Sequence, residues 1–98
     1  MKQECLPYGG GQKVKTAQLI YTTVDFSNAN YKDITFSFPA DCETPLTIFF
    51  KSAWPNGTWD GAVVGIMYIN FENSMVRLTS TKKQSYSITL TLVYVAKG

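Results

Sequence analysis

The chain has no histidine. That removes the commonest general base and the commonest metal ligand, and with them every Ser-His-Asp or Cys-His nucleophilic site. Cysteine is scarce: Cys5 and Cys42 are the only two, too few for a cysteine-rich zinc centre. A Cys5–Cys42 disulfide is arithmetically possible, the alternative being two reduced thiols, and spacing alone does not choose between them. Charge is also sparse. Charged residues make up 16% of the chain, the formal net charge is +2, and Arg77 is the only arginine beside eight lysines. Nucleic-acid backbones are gripped by clustered basic faces with several Arg forks, so nucleic acid is excluded as a partner. No run of about 18 apolar residues offers membrane insertion. The opening Met1-Lys2-Gln3-Glu4-Cys5-Leu6-Pro7-Tyr8 lacks the ~7–15-residue apolar stretch of a secretory signal.

What is present is a β pattern. A hydrophobic share of 45% over 98 residues fits one globular domain and excludes wholesale disorder. Residues 1–12 are polar and end in Gly9-Gly10-Gly11, which predicts a flexible lead-in before a single domain over 13–98. From Ser87 to Lys97, Ile88, Leu90, Leu92 and Tyr94 share one side while Thr89, Thr91, Val93 and Val95 share the other, the period of two of a half-buried strand. Tyr31–Phe38 repeats the pattern, with Ile34, Phe36 and Phe38 inward and Pro39 ending it. Further strands are expected over Lys15–Val24, Pro45–Lys51, Val63–Phe71 and Met75–Thr79, with Glu72-Asn73-Ser74 joining the last two as a hairpin and Ser80–Ser85 as the closing hairpin. Val63–Phe71 is apolar on both sides, which predicts a central strand or one packed on a partner subunit, and Gly65 within it suggests a bulge or a close backbone approach. No apolar stripe of helical period occurs. The fold class is therefore all-β, a six-stranded antiparallel sandwich, and its small core favours an oligomer.

The stretch Trp54-Pro55-Asn56-Gly57-Thr58-Trp59-Asp60-Gly61 is the most informative for function. Pro-Asn-Gly predicts a tight turn bracketed by two indoles. A flat apolar ring suits the C–H face of a sugar, and Asn56 and Asp60 beside it can exchange hydrogen bonds with hydroxyls. The alternative is that the rings fold back as lids over the sandwich. Asn56-Gly57-Thr58 also fits a glycosylation acceptor, a chance match without a signal sequence. Arg77 offers a fork for hydroxyls or a carboxylate, against the simpler reading of a surface ion pair. The candidate sugar-binding residues are thus Trp54, Asn56, Trp59, Asp60 and Arg77. Asp41 and Glu43 are neighbours in one turn and lack the opposed geometry of a hydrolytic pair. No catalytic residue, metal site or cofactor is expected, and the chain reads as a binding module, not an enzyme.

The layout of a Tyr31–Phe38 strand, a turn, Pro45-Leu46-Thr47-Ile48, a variable loop, Val76-Arg77-Leu78 and a closing Tyr94-Val95-Ala96-Lys97-Gly98 resembles the C-terminal domain of bacteriophage tail fibres and receptor-binding tail proteins, which is similar to the H-type lectin sandwich. The resemblance covers about residues 14–98. It implies a homotrimer on a fibre axis that binds a cell-surface glycan, carried on a virion tail that is assembled in the bacterial cytoplasm and acts outside it. Those lectins often use a His, which this chain lacks, so the fold transfers more directly than the sugar site. A purely structural virion or assembly protein, using the same sandwich for subunit contacts, is the competing expectation.

Overall fold

The computed structural model describes residues 13–57 and 61–97. Six strands follow one another: β1 (Val14–Asp25), β2 (Tyr31–Thr35), β3 (Cys42–Pro55), β4 (Val64–Asn70), β5 (Met75–Ser80) and β6 (Ser85–Ala96). They form two three-stranded antiparallel sheets, ordered β1-β6-β3 and β2-β5-β4, and no helix occurs among the described residues. The proposed lead-in over residues 1–12 lies outside this range.

Alternation explains the layers. On β6, Tyr86, Ile88, Leu90, Leu92, Tyr94 and Ala96 are all buried between the sheets, and the intervening Ser and Thr residues face out. On β5, Val76 and Leu78 are buried from the opposite layer, and on β2 Ile34 is buried with Phe36 just beyond. Each central strand therefore feeds one row into a shared core, closed at its ends by edge-to-face ring pairs, Phe26–Tyr86 and Phe36–Phe38. Tyr86 is fully buried, and its hydroxyl lies 3.3 Å from Ser80 Oγ and accepts from Gln84 Nε2. Core burial of a polar ring is tolerable because its one polar atom is partnered.

Several expectations change. β2 leaves the ladder after Thr35, although Phe36 N–H still donates to Ser74 O and Phe38 still packs on the core. β4 is an edge strand, not a central one: its ladder partner is β5. Its apolar residues on both sides are therefore not evidence of two covered faces. The bulge falls at Met67, between the pairs Ile66↔Leu78 and Tyr68↔Arg77, and a Cβ at Gly65 would meet nothing within 4 Å. The Glu72–Ser74 connection is a hairpin as expected, with Ser74 at φ 53°. The Ser80–Ser85 connection is not: it carries the chain from β5 in one sheet to β6 in the other.

Candidate functional site

The outer face of the β1-β6-β3 sheet is built by register. Gln18 and Phe49 flank Thr91, Ile20 and Ser52 flank Thr89, and Trp54 lies beside Ser87. Two adjacent phenylalanines in a strand must point to opposite sides. Phe50 takes the inner one and packs on the core, which leaves Phe49 60% exposed outside. In the same way Leu19 and Tyr21 pack inward and the Ile20 between them is 70% exposed. Trp54 is 68% exposed.

Phe49 and Trp54 sit on β3 opposite residues four positions apart on β6, so their Cα atoms lie about 13 Å apart at the usual strand rise. The bulge at Lys51 keeps both on the outer face, and Lys51 Nζ reaches across β6 to Gln18 Oε1 at 3.2 Å. Gln18 Nε2 donates to Thr91 Oγ1. The result is an apolar, nearly uncharged shelf with amide and hydroxyl groups along its middle. Such a surface can stack on the C–H faces of a ligand and exchange hydrogen bonds with its hydroxyls.

The sequence-predicted residues divide as follows. Trp54 is on this face, in the last turnless residues of β3, not in a turn. Asn56 is beside it and partly engaged: its Nδ2 donates to Thr22 O at 3.4 Å, and Ser87 Oγ lies 3.1 Å from its Oδ1. Each end of an amide retains further capacity, so Asn56 still has a donor and an acceptor to offer. Trp59 and Asp60 lie outside the described residues. Arg77 does not join the group at all. It projects from β5 on the outer face of the other sheet, where Nε and Nη2 donate to Asp33 Oδ1 and Oδ2 at 2.6 and 3.0 Å. The Tyr31 and Tyr68 rings flank its guanidinium at 4.6 and 5.2 Å to their centroids. The pairing holds the Asp33 carboxyl below its ordinary range and Arg77 above its own. The surface ion pair was the simpler reading of Arg77, and it is the one the geometry bears out.

Asp41, in the turn before β3, is likewise committed. Lys15 Nζ donates to Oδ2 at 2.8 Å and Tyr94 Oη to Oδ1 at 2.9 Å, which lowers its pKa. Cys42 next to it is a free, half-buried thiol whose pKa is raised chiefly by burial; Cys5 lies outside the described residues. No cluster of His, Cys, Asp or Glu suited to a metal ion occurs among the described residues. A cavity of about 280 Å3 opens between the sheets where β3 faces β4, lined by Phe50, Ala53, Ala62, Val63, Val64 and Tyr86. Its lining side chains are apolar apart from the partnered Tyr86 hydroxyl, so no set of polar side chains converges on it as a sugar requires.

No protein-family model, curated protein or solved structure matches the chain.

Proposed function

We propose that the chain is a non-catalytic carbohydrate-binding module acting on a cell-surface glycan, with the Phe49–Trp54 shelf as its sugar site and Gln18, Asn56 and the Thr89–Thr91 hydroxyls as hydrogen-bonding neighbours. The observation that supports it is the exposure of two aromatic rings and Ile20 on one sheet face amid hydroxyl and amide groups. Contiguous apolar surface left in water on one face marks a binding site more often than scattered single residues do. A neutral glycan fits best, because Lys51 is the one charged side chain among the residues that build this shelf. On the resemblance at Phe38, Pro45 and Tyr94–Gly98, the module belongs to a phage or phage-derived tail fibre, assembled in the bacterial cytoplasm and working outside it at host attachment. A shallow shelf gives weak affinity per site, and several copies on one particle raise it through avidity.

A glycan array followed by titration tests the reading. Binding should fall by an order of magnitude or more in Trp54→Ala and Phe49→Ala, with the β-sheet spectrum intact, and stay unchanged in Arg77→Ala. Unchanged binding in both aromatic variants would remove the shelf as the site. The second reading, a structural virion or assembly protein, is favoured by a different observation: Val63 and Met67 on the opposite sheet are 69% and 53% exposed. An array without any signal, from protein that forms a stable oligomer, would favour it.

A further inference from the structure

Phe49 and Trp54 leave the same face of one strand with their Cα atoms about 13 Å apart. One pyranose ring covers one phenyl or one indole face, so a single sugar cannot lie on both. The interval between the rings is polar. Ser52 on β3 and Thr89 on β6 are register partners there, and their hydroxyls have no hydrogen-bond partner among the described residues. Thr91 Oγ1 accepts from Gln18 Nε2, which leaves the Thr91 proton to give. Lys51 starts between the two rings, and its Nζ donates to Gln18 Oε1 with ammonium protons to spare. Aromatic faces thus mark the two ends of the shelf, and donors and acceptors fill its middle.

The shelf is also narrow. Exposed Ile20 on β1 stands across Thr89 from Ser52, two strand spacings or about 10 Å from β3. On the other side β3 is the outer strand of its sheet, so the strip opens to water there. None of the side chains that build it is acidic. We propose that this shelf takes an unbranched neutral oligosaccharide lengthwise along β3, with one sugar stacked on Trp54, another on Phe49, and the sugars between them hydrogen-bonded to Ser52, Thr89, Thr91 and Lys51. The inference rests on the carbohydrate reading given above and adds to it the length and shape of the ligand. Two rings engaged by one ligand act as two linked weak sites. Once the first sugar is seated the second contact is intramolecular, provided that the chain spans the gap. A chain too short to reach both rings forfeits that gain, and one longer than the span adds little.

The test is a length series measured by calorimetric titration, using linear oligomers of glucose, galactose, mannose and N-acetylglucosamine, each from monosaccharide to hexasaccharide. For a sugar that binds, affinity should climb at least about tenfold at the length that first reaches both rings and level off beyond it. Phe49→Ala should erase that step, bringing the hexasaccharide down to the affinity of the short oligomers, and Phe49→Tyr should restore it. A monosaccharide that binds as tightly as its hexasaccharide, a length step that survives Phe49→Ala, or a Phe49→Ala variant that weakens every length by the same factor would each overturn the inference while leaving the protein a sugar binder. Absence of binding at every length in all four series would instead remove the carbohydrate reading, and the inference with it.

Discussion

The two outer faces of the sandwich both display aromatic rings, yet they spend them differently. On the β2-β5-β4 face, Tyr31 and Tyr68 flank Arg77, which is held in turn by both oxygens of Asp33. Those rings are already in use by the protein. On the β1-β6-β3 face, Phe49 and Trp54 stand over a floor of threonine and serine, and the exposure of both rings shows how little of them the chain itself covers. Exposure of an aromatic residue is therefore a poor guide to function until one asks what already lies against its ring.

Mutations can break or sharpen this contrast. The largest effect is expected at Leu90, fully buried beneath the shelf on β6. Leu90→Ala should cost about 2–5 kcal/mol in a denaturant titration and weaken both faces together, because they share the core. Next comes Trp54→Ala, which should cost at least tenfold in glycan affinity by titration yet shift stability by no more than about 0.5 kcal/mol, as exposed substitutions do. Arg77→Ala should do the reverse, lowering the melting temperature by a small but measurable amount and leaving the titration untouched.

The smallest effect is one of pH. Asp33 has a lower pKa folded than unfolded, so the unfolded chain binds more protons in the carboxylate range and stability rises with pH there. The contribution is complete above the ordinary carboxylate pKa of about 4 and is lost as pH falls through the folded value. Asp25 and Asp41 act with the same sign, Asp25 through the Ser27 backbone N–H and Asp41 through Lys15 and Tyr94. Asp33→Asn should narrow the gap between melting temperatures at pH 7 and pH 3. Glycan binding should stay flat from pH 5 to 8, since the chain has no histidine.

Much of the layering was legible in the residues themselves. The alternation of Ile88–Tyr94 assigns β6 its two sides, and the Val76/Arg77/Leu78 triplet sends Arg77 outward before any neighbour is known. Neighbour relations were not legible. The apolar run of β4 suggested a central strand because hydrophobicity reports what a strand resembles, not what lies beside it. Arg77 was grouped with Trp54 although the two stand on opposite sheets, since sheet membership is decided by pairings between residues far apart in the chain. Phe49 is not among the residues the sequence singles out, although the Phe49-Phe50 doublet carries a signal, since one member of it must face outward. Pro55 suggested that Trp54 opened a turn, but proline is compatible with an edge strand, and β3 runs through to it.

The order β1-β6-β3 also governs how the chain is made. The strand that joins β1 to β3 is the last of the six in chain order, so neither can acquire its ladder partner until residues 85–96 have been made. Nearly the whole sheet must zip up in one late, non-local step, a topology that folds slowly. Until then Phe50 has no core to enter, and the Phe49-Phe50 doublet stays bare on the unfolded polypeptide.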